Sequence, residues 1–206
     1  MYKFRLVMLF ICMTVFLCAG CGQQKKITQI EADTLLIHRE GNMEYYLTEE
    51  FDKAYYDIEE LKNMAQDEVS EYNRTKAEGT GVVLDKAELT TDMKKAVVGY
   101  LFPSKVEFCE FTKGFVEYDT LSNALMTGYL IEGIRLQGKN GEVITDQSFF
   151  LDKSQNHVII SDPGKIIYTP LKVQYYSEGT VLREDGGIDA TGIDDENKKV
   201  IIILKK

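Results

Sequence analysis

The residues closest to a known chemical device lie around Lys139. Gly133-Ile134-Arg135-Leu136-Gln137-Gly138-Lys139-Asn140 has the Gly, Gly and Lys spacing of a phosphate-binding loop. Asn140, however, stands where Ser or Thr should hold Mg²⁺. The loop should also open a helix whose N-terminus faces the phosphate. Asn140-Gly141 instead leads into a strand pattern, so the stretch reads as a hairpin. A second candidate is the acidic loop from Glu184 to Glu196, with Asp185, Asp189, Asp194 and Asp195 interspersed with glycines. Ca²⁺ takes about six to eight oxygen ligands, and such a loop can supply carboxylates. The alternating Asp-x-Asp-x-Asp-Gly order of a calcium loop is missing, so a solvated hairpin loop is the plainer reading. These four aspartates are the chain's best metal candidates, and no cofactor is expected. His38 and His157 are isolated imidazoles without zinc-ligand spacing, and both read as half-exposed strand residues. There is no Gly-x-Ser-x-Gly. Glu59, Glu60, Asp67, Glu68 and Glu71 fit the outer face of a helix, and no catalytic constellation emerges.

Three aromatic doublets remain: Tyr45-Tyr46, Tyr55-Tyr56 and Tyr175-Tyr176. Neighbours in a strand point to opposite faces, so one tyrosine of each pair is expected in the core and the other outside. Tyr46, Tyr56 and Tyr176 are the candidate binding residues, since exposed Tyr is amphipathic and loses little entropy on contact. Plain sheet-surface packing is the competing explanation. The chain has no Trp, so a glycan-stacking platform would rest on these tyrosines.

The elements that must position these groups suggest an α+β fold. The reading is a mainly antiparallel sheet with one principal amphipathic helix (57–73) and a β-rich C-terminal half. Asp57 with Glu60 resembles a capping box. Ile58, Leu61, Ala65, Val69 and Tyr72 fall within about an 80° arc at 100° per residue. Strands are expected at 34–39 and 43–48 around Glu40-Gly41-Asn42, with Leu35 and Ile37 on one face and Met43, Tyr45 and Leu47 on another. Further strands are expected at 82–89 and 95–102. Ser104 with Glu107 proposes a short helix over 104–113, although its aromatic content also suits a strand. Residues 118–126 suggest a helical turn or two. Strands follow at 129–137, 142–151, 157–161, 165–169 and 171–177, and Val181-Leu182-Arg183 starts another. Val200–Leu204 is an apolar run between lysine pairs, read as a buried closing strand with charged gatekeepers.

The N-terminus bears on location. Lys3 and Arg5 precede an uncharged apolar run from Leu6 to Cys18, too short for a comfortable span of about 20 residues. Ala19 and Gly20 then put small side chains before Cys21. Leu17-Cys18-Ala19-Gly20-Cys21 resembles the lipobox of bacterial lipoproteins. Ala19, Gly20 and Cys21 match, whereas Cys18 stands where Leu is usual and Leu17 lies one place further back. The resemblance covers about the first 21 residues. It implies cleavage between Gly20 and Cys21, acylation of Cys21 by palmitate-type chains, and attachment to the outer side of the cytoplasmic membrane. The mature chain also resembles small uncharacterised lipoproteins of Gram-positive bacteria, from which no activity carries over.

Three segments follow: a signal peptide at 1–20, a lipid-anchored tether at 21–30 and a single α+β domain at 31–206. Residues 22–30 of the tether reach at most about 30 Å at 3.3–3.6 Å per residue. Loss of Lys3 and Arg5 leaves 22 basic against 33 acidic residues, a net charge of −11. That balance argues against nucleic acid as a partner. Cys12 and Cys18 leave with the signal and Cys21 carries lipid, so Cys109 is the only free thiol and no internal disulfide forms. The expected partners are the membrane, through Cys21, and an envelope protein or glycan. Three functions are open: a non-catalytic binding or scaffolding lipoprotein, a tethered carboxylate-dependent hydrolase, and a small-ligand receptor, which needs a deep apolar pocket.

Overall fold

A computed structural model describes residues 30–128, 135–146, 148–195 and 197–206. The lipobox stretch, with Gly20 and Cys21, and the start of the Gly133 loop lie outside the described residues. The fold is α+β and β-rich, with 21% helix and 35% strand in two mostly antiparallel sheets.

The first sheet has seven strands in the order β11-β12-β9-β1-β2-β4-β3. They are β1 (Thr34–Ile37), β2 (Met43–Glu50), β3 (Val83–Leu89), β4 (Lys95–Phe102), β9 (Ile166–Tyr168), β11 (Val181–Leu182) and β12 (Ile188–Asp189). The second has six in the order β5-β8-β13-β10-β6-β7. These are β5 (Val116–Thr120), β6 (Leu136–Gly138), β7 (Val143–Ile144), β8 (His157–Ser161), β10 (Val173–Ser177) and β13 (Val200–Leu204). The β1–β9 pair is parallel, and the other pairs among the described residues are antiparallel.

Leu35 lies opposite Tyr45, and Ile37 opposite Met43. All four therefore share one face of the first sheet, and they enter the main core. That corrects the expectation of separate faces: antiparallel partners directly across a ladder project to the same side. The second sheet meets this face with Val116, Ile159, Val200, Ile202 and Leu204. Its other face carries Val158, Ile160, Ile201 and Ile203, which join Leu121, Ala124 and Phe150 in a second cluster. β13 thus lies between β8 and β10 with both faces covered. A strand in that position is apolar at every residue instead of alternating, and all five of its residues are buried.

Four helices accompany the sheets among the described residues. α1 (Ile58–Asn73) is capped by Asp57, whose Oδ1 accepts from the Glu59 N–H at 2.8 Å and the Glu60 N–H at 3.4 Å. Its Ala65 and Val69 are buried in the main core. α2 (Lys105–Thr112) settles the ambiguity at 104–113. The Ser104 hydroxyl accepts from the Val106 N–H at 3.1 Å and donates to Glu107. The aromatics lie on the side of α2 facing the first sheet: Phe108 meets Tyr45 at 5.5 Å and Phe102 at 5.3 Å, and Phe111 meets Tyr100 at 5.1 Å. α3 (Leu121–Met126) follows β5, so Tyr118 to Thr120 form strand, not helix. β5 pairs along its length with β8, and the Thr120 hydroxyl caps α3. The long strand expected over 142–151 reduces to β7 and is followed by α4 (Ser148–Asp152). The Asp146 carboxylate accepts from the Ser148 N–H at 2.8 Å. Phe150 then enters the second cluster and Phe149 packs on Tyr175 at 4.8 Å. Among the described residues no helix is long and apolar enough to cross a membrane.

Candidate functional site

The chain crosses from the first sheet to the second between β9 and β10, through Thr169-Pro170-Leu171-Lys172. Pro170 has no N–H for a ladder, which suits a strand break. The Thr169 hydroxyl donates to the Leu171 carbonyl at 2.7 Å and closes the link. A cavity of about 530 Å³ opens at this crossing. Its floor includes the buried Leu36 and Val173, and Tyr168, Pro170, Leu171 and Leu182 add apolar wall.

Five cations line the cavity: Arg39, Lys139, Lys172, Lys205 and Lys206. They arrive from separate segments. Arg39 is in the β1–β2 turn, Lys139 in the β6–β7 turn, Lys172 in the crossing, and Lys205 and Lys206 follow β13. All five are exposed. Among the described residues none of them forms an ion pair. Lys172 and Lys205 are held beside each other, because the Lys205 N–H donates to the Lys172 carbonyl at 2.7 Å. Like charges directly across a ladder disfavour the fold. The site therefore breaks a local stability rule in a chain of net charge −9. Such departures gather where a surface serves binding instead of stability.

Asp185 is the acidic residue of the lining, and its charge is committed. It accepts from the Tyr168 hydroxyl at 2.8 Å, from Arg183 Nε at 3.3 Å and from the Gly187 N–H at 3.1 Å. Burial alone would raise its pKa, but these donors outweigh it and hold the carboxyl below its ordinary range. Burial, and then the bond to Asp185, push the Tyr168 hydroxyl up to about 12. Tyr168 therefore stays protonated and braces the wall. The cavity presents positive charge over an apolar floor, which is the chemistry of anion binding. Its lining holds no His, Cys, Ser or Glu, and Asp185 is the one acidic side chain in it.

The four aspartates of the 184–196 loop do not converge. Arg183 lies between Asp185 and Asp189, with Nη1 3.9 Å from Asp189. Asp189 also accepts from the N–H and hydroxyl of Thr191, and Asp195 accepts from the Asn197 N–H. Asp194 is exposed. No group of three or more His, Cys, Asp or Glu residues able to hold a metal occurs among the described residues.

Tyr45 and Tyr46, and Tyr175 and Tyr176, project to opposite faces as strand alternation requires, but the outward member of each pair is covered instead of exposed. Tyr45 and Tyr46 are both buried. Tyr46 lies on the outer face of the first sheet with Leu36 and Val97, and its ring covers Gly99. Its single O–H donates to Glu44 at 2.6 Å, with the Asp85 carboxylate a longer second acceptor at 3.2 Å. Tyr46 is thus packed, not presented. Tyr55 and Tyr56 are both exposed, 4.9 Å apart, in the turn before α1, where strand geometry does not apply. Tyr175 and Tyr176 are both partly buried, and Tyr176 packs against the main core. His38 Nε2 lies 2.9 Å from Glu44, and His157 Nδ1 is buried without a partner among the described residues. Cys109 is half-buried beside the Val116 carbonyl, and burial pushes its thiol pKa up, as suits an inert thiol.

The cavity cations were not apparent as a site in the sequence. Lys205-Lys206 reads as a gatekeeper pair, and Lys139 as a hairpin residue. The usable signal was that Lys172 and Lys205 each directly flank a strand, β10 and β13. No protein-family model, curated protein or solved structure matches the chain.

Proposed function

We propose that this protein is a lipid-anchored binding protein of the extracytoplasmic face, non-catalytic, that holds an anionic envelope component in the cleft at the β9–β10 crossing. The anchor rests on the resemblance of residues 17–21 to a lipobox, with Cys21 as the acylated residue. One structural observation carries the binding role: five exposed cations, unpaired among the described residues, converge from both sheets on one cleft, in a chain with 33 acidic residues. The cleft's volume of about 530 Å³ falls within the size range of small-ligand sites. A carboxylate-dependent hydrolase needs two convergent carboxylates, and the cleft's side chains offer one, already committed to Arg183.

The test is titration of the mature protein with inorganic pyrophosphate at physiological ionic strength. Lys172→Gln/Lys205→Gln is compared with a control, Lys53→Gln/Lys62→Gln, made at exposed lysines that do not line the cleft. The reading expects binding lost in the first variant and retained in the control. The first variant should also be no less stable than the wild type, since it relieves a like-charge pair. Equal binding by all three proteins would place the site elsewhere.

A further inference from the structure

The distribution of charge around the cleft narrows the class of ligand. A single phosphate is normally held by several donors converging on it, often backbone N–H groups of a nest or a helix N-terminus. Here the positive groups are side chains from separate segments spread around a cavity of about 530 Å³, far larger than one phosphate. Four of the five are lysines, point charges on flexible stems that favour charge density over a fixed bidentate geometry. One small anion cannot engage them together.

A long polyanion is opposed by the rest of the surface. The five cations are a minority of the chain's 24 basic residues, and of its 33 acidic residues only Asp185 lines the cleft. Exposed carboxylates begin at the rim: Glu40 adjoins Arg39, Glu142 closes the turn that carries Lys139, and Glu184 adjoins Asp185. At physiological salt, charges interact over about 8 Å. The cleft therefore attracts what lies inside it, and a polymer leaving it would run onto acidic surface.

We infer that the cleft takes a compact multivalent anion, with two or more phosphate or carboxylate groups within the span of the five cations, in preference to a lone phosphate or a linear polyanion. This deepens the binding role proposed above and rests on it. The experiment titrates the mature lipidated protein, in non-ionic detergent, with orthophosphate, tripolyphosphate and long-chain polyphosphate. Wild type and Lys172→Gln/Lys205→Gln are followed by calorimetry.

The expected result is tripolyphosphate binding at least about tenfold tighter than orthophosphate. The long polymer, counted per three-phosphate stretch, should be no tighter than tripolyphosphate, and the variant should lose the preference. Equal affinity for orthophosphate and tripolyphosphate would overturn multivalency. A polymer tighter per stretch, yet still sensitive to the variant, would overturn compactness while leaving the cleft as the binding site. Binding indifferent to the variant would overturn the cleft assignment itself.

Discussion

Gly99 offers a sharp test of the claim that Tyr46 is a packed residue and not a binding one. A Cβ at position 99 would lie 2.5 Å from Tyr46 Cε1 and 2.6 Å from Cδ1. Those are ring atoms, and the ring is not free to swing. Its hydroxyl donates to Glu44, with Asp85 a longer second acceptor, and Lys86 Nζ lies 5.2 Å from its centroid. Gly99→Ala must either compress the ring, at about 1–3 kcal/mol for overpacking, or turn it out and lose the hydroxyl's hydrogen bond to a carboxylate, at about 1.5–3 kcal/mol. Against this stands a gain of about 0.5–1 kcal/mol from replacing glycine within a strand. The net expectation is a loss of about 1 kcal/mol, seen in urea unfolding as a lower midpoint at unchanged slope. In a Tyr46→Ala background the clash is gone, so Gly99→Ala should cost nothing or stabilise, giving a coupling of about 2 kcal/mol. A neutral Gly99→Ala, or the same cost in both backgrounds, would refute the packing argument.

Asp57→Ala should lower stability by about 1 kcal/mol, because two N–H groups at the start of α1 lose their acceptor; urea unfolding measures it, and Asp57→Ser should recover most of the loss. Ile202→Ala, in a strand buried on both faces, should cost about 2–5 kcal/mol, with thermal unfolding as the check. Asp185 gives a pH dependence. Its folded pKa lies below the ordinary 3.8, so its contribution is complete above the unfolded value and fades as pH falls through the folded one. Stability should therefore decline below about pH 4, and Asp185→Asn should flatten that part of a series of urea midpoints.

Much of the element order was legible because its signals are local. Asp57 and Ser104 announce their helices through side chains that satisfy N–H groups two or three residues on. Residues 34–50 and 82–102 pair as neighbours across short turns. Gly141, at φ +82°, marks its hairpin. The stacking of two sheets was not legible, since β1 pairs with β9 and β13 enters between β8 and β10 across long stretches of chain with no local sign. Phe149-Phe150-Leu151 suits a strand and a helix equally, and only the Asp146 carboxylate and the second cluster favour the helix. The tyrosine doublets misled because alternation assumes that one face is solvated. Tyr46 lies over a glycine in an apolar stripe, and Tyr55 and Tyr56 are in a turn. The cleft cations, at positions 39, 139, 172, 205 and 206, have no common spacing. Only the crossing between the sheets brings them together.

The proposed anchor is Cys21, and the proposed working surface is the cleft. The most direct test of that anchor is the intact mass of the protein extracted from membranes, beside a Cys21→Ala variant. The account predicts a mass equal to residues 21–206 plus acyl chains, and a variant that lacks them and is released from the membrane. An unmodified mass, or unchanged membrane attachment of the variant, would contradict it.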